Sequence, residues 1–174
     1  MPNYRRLYVP GGTYFFTANL LDRSSDLLTR RIEQLRAAYA VVQKRMPFET
    51  LAIVILPDHI HCIWRLPEGD HDFSARWRAF KSEFSRSLPR GDDAGPPVRS
   101  GERGIWQRRF WEHAIRDDED FNHHVTYIHF NPVKHGHVTS PDDWPYSTWH
   151  RWKADAQADL PKTFDQDMPA GERS

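Results

Sequence analysis

Two apolar runs of strand length, separated by one turn signal, constrain this chain more than any other feature. Leu51 to Leu56 (L-A-I-V-I-L) is followed by Pro57-Asp58 and then by His59-Ile60-His61-Cys62-Ile63-Trp64. The pattern predicts a hairpin, with one strand over about 50–56 and its partner over about 59–66. Side chains alternate along a strand, so His59 and His61 share one face while Ile60 and Cys62 take the other. Two imidazoles at adjacent same-face positions can grip one divalent ion.

Around this hairpin the elements fall in a definite order. Thr13 to Leu20 (T-Y-F-F-T-A-N-L) follows Gly11-Gly12 and reads as a first strand. Leu28, Ile32, Leu35, Tyr39, Val42 and Met46 recur at helical spacing, predicting one amphipathic helix of about five turns that Pro47 ends. Phe73, Trp77, Phe80, Phe84 and Leu88 mark a second helix whose aromatic stripe reads as core. Residues 89–104 lack an apolar period and read as a long loop of the kind that carries function. Ile105 to Ile115 is expected to be a fourth strand. Asp117 to Asp120 then caps a third helix, favourably placed against its dipole. Phe121, Val125 and Ile128 give that helix a core face; His123, Tyr127, Asn131 and Lys134 form a separate polar stripe. Pro132 should kink or end it near Asn131, and Gly136 is the final stop.

The fold class that follows is α+β: a ferredoxin-like βαββαβ antiparallel sheet with helices on one face, plus a third helix carrying Tyr127. At 174 residues the chain suits one domain, expected over 1–152, with a loose polar tail over 153–174. No apolar run reaches the roughly 20 residues that span a bilayer. The N-terminus lacks a signal core, and Cys62 is the only cysteine, so a cytoplasmic protein without an internal disulfide is expected. Net charge is zero, yet 19 of the 24 basic residues are arginines, the type suited to bidentate phosphate contacts. They concentrate in 1–45 and 76–116, each with a balance of +5.

The chemistry is in the pairing of the two stretches. His59 and His61, with Asn131 as an oxygen ligand, leave positions open for a substrate phosphate, which suits Mg²⁺ or Mn²⁺ as a Lewis acid. Zinc is less favoured because Cys62 faces away. Tyr127 lies one turn from Asn131; its phenol, with a pKa near about 10, needs the ion or the cation of Lys134 to become a nucleophile.

Leu56-Pro57-Asp58-His59-Ile60-His61 resembles the His-hydrophobe-His signature of single-tyrosine HUH transposases. Tyr127-Ile128-His129-Phe130-Asn131-Pro132-Val133-Lys134-His135-Gly136 resembles the tyrosine-helix motif of their REP-associated branch, and Trp144-Pro145-Tyr146-Ser147 the motif that follows it. The resemblance covers about residues 3–152. It implies a ferredoxin-like fold, His59, His61 and Asn131 as ligands of Mg²⁺ or Mn²⁺, and Tyr127 as the nucleophile. The reaction implied is cleavage of single-stranded DNA through a 5′-phosphotyrosine link. The partner implied is a REP-like hairpin, bound by a monomer or a homodimer. Phosphate contacts are then expected from Arg30, Arg31, Arg76, Arg78, Lys81, Arg86, Arg108, Arg109 and Lys134. His135-Gly136-His137 departs from the smaller residues expected there, and His137 could add a ligand.

Three rivals are weighed. A histidine-triad hydrolase needs a third histidine where Ile63 stands. A general single-strand binder has no need of the histidine pair. A domesticated hairpin binder that no longer cleaves differs only in activity.

Overall fold

The computed structural model describes residues 5–91 and 100–155. Four strands form one antiparallel sheet: β1 (Thr13–Asn19), β2 (Glu49–Ile55), β3 (His59–Arg65) and β4 (Trp111–Ala114), in the order β2-β3-β1-β4. That order is the ferredoxin-like one, and it puts β1 and β3 in the centre. Both central strands are buried on both faces, the polar Thr17, His59 and His61 included.

One sheet face presents Tyr14, Phe16, Ala18, Ile60, Cys62 and Trp64 to α1 (Leu27–Arg30), α2 (Ile32–Arg45) and α3 (Phe73–Ser87). The aromatic stripe of α3 is core, as its spacing predicts: Phe73, Trp77, Phe80 and Phe84 are buried, and Trp77 stacks on Trp64 at 4.6 Å. Asp72 caps this helix by accepting from the Ala75 N–H at 2.9 Å. The opposite face presents Phe15, Ala52, Val54 and Ile63 to α4 (Asp118–Lys134). The third predicted helix therefore makes a second layer, and the sheet is covered on both sides rather than on one. Helix α5 (Trp149–Asp155) follows a 3₁₀ turn at Pro141–Asp143 and lies along the β2 edge. Among the described residues, no helix is long and apolar enough to cross a membrane.

Two local expectations are corrected. The first helix is interrupted at Arg31, where φ −112° and ψ 35° leave the helical region. Its first turn is tied to the hairpin instead, Leu28 N–H donating to the Pro57 carbonyl at 3.0 Å. The fourth strand is only Trp111–Ala114; upstream, Trp106 makes an isolated bridge to Leu20. Adjacent arginines 108 and 109 cannot both sit in a ladder whose two faces are apolar, and the chain leaves the sheet with both exposed. Pro132 lies inside α4, which ends two residues further on at Lys134, close to where the sequence placed its end. The last turn is closed by Gly136 at φ 73°, with Gly136 N–H on the Val133 carbonyl and His137 N–H on the Pro132 carbonyl, both 3.0 Å. Within the polar stripe, Tyr127 and Asn131 are buried.

Arg76 is also corrected. It is 3% exposed and cannot meet DNA. Its guanidinium grips Asp70 through two bonds (2.7 and 3.2 Å) and donates to the carbonyls of Met46, Pro47 and Asp72. This buried fork ties the α2–β2 connection to α3. Arg76→Ala strands three carbonyls and Asp70, so we expect a loss of about 3 kcal/mol, measured as the urea midpoint. A variant as stable as wild type would contradict this role.

Candidate active site

The β2–β3 hairpin delivers His59 and His61 to the face that α4 covers, opposite Asn19 and Thr17 of β1. Their rings lie 4.8 Å apart at 81°. Each ring is held through Nδ1: His61 is 2.8 Å from Thr17 Oγ1, and His59 donates to Asp58 Oδ1 at 2.8 Å. The other Asp58 oxygen accepts from Arg23 Nε at 2.6 Å. A carboxylate behind an imidazole is the arrangement that fixes a metal-binding histidine's tautomer and orientation. Both Nε2 atoms are left buried without a hydrogen-bond partner among the described residues.

Helix α4 supplies the rest. Tyr127 is 2% exposed, its ring 5.1 Å from that of His61 and 5.9 Å from that of Phe15. One turn further on is Asn131, fully buried, both of its amide atoms also lacking a partner. Another turn on, the His135 ring stands 5.1 Å from that of His59. Asn131 is thus bracketed along one helix face by side chains that touch the two imidazoles. A buried polar atom with no partner costs about 1–3 kcal/mol, so the neighbouring His59 and His61 Nε2 atoms are open to a ligand. Lys134 Nζ stands 4.9 Å from the centre of the Tyr127 ring. Tyrosine and imidazoles come from the same chain.

The electrostatics keep the His61 ring unprotonated. Burial, then the charges of His59, His135, Lys134 and Arg23, hold His61 well below the ordinary histidine value, in the neutral form that ligates. Burial opposes ionisation of Asp58, but the bonds from His59 and Arg23 outweigh it and hold its carboxyl at about 2.

A second group lies at the start of α4. His113, Asp120 and His124 offer ligand atoms within 4.8 Å of one another and could hold an ion. As they stand, His113 Nε2 donates to Asp120 Oδ2 at 2.8 Å, and His124 Nδ1 donates to the Asp120 carbonyl at 2.8 Å. Their rings are nearly parallel, 4.7 Å apart. The network anchors α4 to β4, and His124 packs on Phe15 beside Tyr127.

Sequence reasoning proposed His59, His61, Tyr127, Asn131 and Lys134; the fold sets the His59, His61 and Tyr127 rings in successive contact, with Lys134 over the Tyr127 ring and Asn131 buried one turn beyond Tyr127. It missed Thr17, Arg23 and His135. The strand register that faces Thr17 to His61 could have been inferred from the hairpin order; Arg23 has no local signal. His137 stacks on Trp144 at 5.2 Å, and the nearer imidazole is His135. Of the remaining basic candidates, Arg78, Lys81, Arg86 and Arg108 line a groove between α3 and residues 101–110, joined there by Arg6 and Arg103. Lys81 donates to the Gln107 carbonyl at 2.9 Å, and burial, with nearby Arg6, lowers it to about 8. Arg109 is exposed outside this lining. Arg30 is exposed and pairs with Asp26 at 3.0 Å, while Arg31 occupies the α1–α2 junction, away from the groove lining.

A sheet that presents paired imidazoles to a helix-borne tyrosine has the architecture of a tyrosine transposase, and known proteins agree. No family model matches the chain. It is 49% identical over 174 residues to the REP-associated tyrosine transposase of Escherichia coli K12, covering 99% of this chain and 98% of that one. A relative assigned to the same family in Haemophilus influenzae is 50% identical over 153 residues, 87% of each chain. A solved REP-associated tyrosine transposase bound to a REP hairpin superposes with a TM-score of 0.85 at 49% identity, covering 100% of this chain and 99% of that one. The chain belongs to the REP-associated tyrosine transposases.

Proposed function

We propose that this transposase cuts and rejoins single-stranded DNA beside a REP-type hairpin, within a catalytic unit spanning residues 1–152. Tyr127 is the nucleophile, and His59, His61 and Asn131 hold Mg²⁺ or Mn²⁺. The observation that carries this is the Tyr127 ring packed against His61, which in turn packs on His59, the buried Nε2 atoms of both imidazoles having no hydrogen-bond partner among the described residues. Bound there, the ion would supply Lewis-acid polarisation of the scissile phosphate.

The chain's own groups do the rest. Tyr127 Oη bonds to phosphorus and the P–O3′ bond breaks, leaving a 5′-phosphotyrosine and a 3′-hydroxyl that takes, in net terms, the phenol proton. The phosphodiester energy is retained in the new link, so rejoining needs no ATP. The Lys134 cation above the ring favours the phenolate as charge develops. Asp58, backed by Arg23, holds His59 in place. Phosphates of the hairpin are contacted by the α3 groove (Arg78, Lys81, Arg86, Arg108), with Arg30, Arg31, Arg109 and Lys134 extending the basic surface. Tyr127 and the two imidazoles meet within one chain, which supports a monomer as the working unit, with a homodimer as the alternative.

The test is a labelled single-stranded hairpin oligonucleotide incubated with protein and Mn²⁺. A denaturant-resistant adduct should form with wild type and not with Tyr127→Phe. Hairpin binding without any adduct would favour the non-cleaving, domesticated binder instead. The support for His59 gives a second expectation. Asp58→Asn should weaken Mn²⁺ binding by about 10–100-fold, read by calorimetry, and unchanged affinity would remove Asp58 from the site.

A further inference from the structure

We propose that Arg6 and Lys81 form a two-cation seat for a single DNA phosphate on the floor of the α3 groove, fixing the register of the hairpin there. This rests on the reading of that groove as the face that holds the hairpin's phosphates. It adds a residue from the N-terminal segment and one particular contact.

Shape and charge give the ligand class. The groove holds a cavity of about 690 Å³, and among the described residues its lining carries six cationic side chains against one carboxylate, Glu102, which pairs with Arg108 at 3.7 Å. A concavity lined by one sign of charge concentrates anions. Within it, two half-buried cations stand over the same ring: Arg6 Cζ is 4.2 Å and Lys81 Nζ 5.7 Å from the centre of Phe110. Neither is loose. Arg6 donates to Ser74 Oγ at 2.9 Å and lies 3.6 Å from Oε1 of Glu112, a buried residue of β4. Lys81 donates to the Gln107 carbonyl at 2.9 Å and stands 5.9 Å from the centre of the Trp106 ring. These contacts orient both head groups and still leave N–H donors on each for a phosphate. Arg78 and Arg86, by contrast, are exposed and attract DNA without setting its register.

Such a seat links binding to pH. Burial, then the charge of Arg6, holds Lys81 down at about 8. A phosphate beside it favours the ammonium and raises that value, so affinity is full below pH 8 and falls as pH rises above it. The other charged groups facing Lys81 are Arg6, backed by Glu112 of β4, Arg78 and Arg86 of α3, and Glu102, Arg103 and Arg108 from the segment beyond it. Carboxylates and guanidiniums titrate far outside pH 7–9, and among the described residues no histidine lines the groove. A change over that range therefore reports on Lys81.

Affinity of the full-length protein is measured by fluorescence anisotropy, without added metal, for hairpin oligonucleotides carrying one neutral methylphosphonate at each backbone position in turn. For wild type one position should cost roughly 10-fold. For Arg6→Ala and for Lys81→Met the same position should cost less than about twofold, the charge it answered having gone. Wild-type affinity should also fall about 5–10-fold from pH 7 to pH 9, and Lys81→Arg, charged at both, should show no such fall. Circular dichroism checks that each variant folds, and the wild-type scan needs no variant at all. If no single position stands out, if the neutral linkage costs both variants as much as wild type, or if the fall with pH persists in Lys81→Arg, the seat does not exist. The groove reading survives that result so long as Arg78→Ala and Arg86→Ala weaken hairpin binding. If those two bind as wild type does, the groove is not the DNA face and the seat falls with it.

Discussion

Tyr127→Phe should abolish the covalent protein–DNA adduct and reduce strand transfer by roughly 10³-fold or more, while hairpin affinity stays within about twofold. The substitution removes one oxygen and nothing else. The phenyl ring keeps its place between His61 and Phe15, since both contacts are made by ring atoms. Loss of one buried hydroxyl costs on the order of 1 kcal/mol, small against a domain stability of about 5–15 kcal/mol, so the variant folds. The basic groove between α3 and residues 101–110 is untouched, and phosphate contacts there should hold the hairpin as before. The two readouts must therefore separate. An adduct that persists in Tyr127→Phe would mean another nucleophile. Equal loss of binding and cleavage would mean that Tyr127 supports the fold or the DNA rather than the chemistry.

Much of this site was legible in the sequence because it depends on short-range periodicity. The period of two placed His59 and His61 together, and the spacing of four placed Tyr127 and Asn131 together; both follow from backbone geometry alone. The βαββαβ order was equally visible, since each element carries its own apolar period. What failed depends on where an element packs. A helical wheel separates the polar stripe of α4 from its core face, but it does not say that Tyr127 and Asn131 of that stripe are themselves buried. Arg76 shows the same limit. A helix position among other arginines looks like a phosphate contact, and only the fold reveals Asp70 and three carbonyls waiting for it. Arg23 and Asp58 are 35 residues apart and meet only once the start of α1 is tied to the hairpin.

The second large effect should come from the segment that covers the β2 edge. A chain ending at Asp143 should fail to fold cooperatively and should aggregate, because β2 is an edge strand closed by residues 144–152. Tyr146 O accepts from Ile55 N–H and Thr148 N–H donates to Ile53 O, both at 2.9 Å, while Ile53 N–H donates to Thr148 Oγ1 at 3.0 Å. The indoles of Trp144 and Trp152 donate to the carbonyls of Ile55 and Leu51 at 3.0 and 2.9 Å. Each bond is worth about 1 kcal/mol net, and burying Trp149 with parts of Trp144 and Trp152 adds about 1.5–3 kcal/mol for each ring fully covered. Together these rival the whole stability of a small domain, and the strand left behind would be long, apolar and unpaired, the usual template for edge-to-edge association. The same segment holds the tyrosine helix: Thr148 Oγ1 lies 2.9 Å from His129 Nε2, and Trp149 packs on both His129 and Phe130. A milder change separates the two roles. Thr148→Val keeps the apolar contact and removes the oxygen shared by Ile53 and His129, so it should cost about 1–3 kcal/mol in urea unfolding and leave a folded chain. In that variant the tyrosine helix is less firmly seated, and adduct formation should slow more than hairpin binding weakens. A 1–143 chain that runs as a monomer in gel filtration with the wild-type urea midpoint would show that β2 needs no cover and that α4 is seated by the sheet alone.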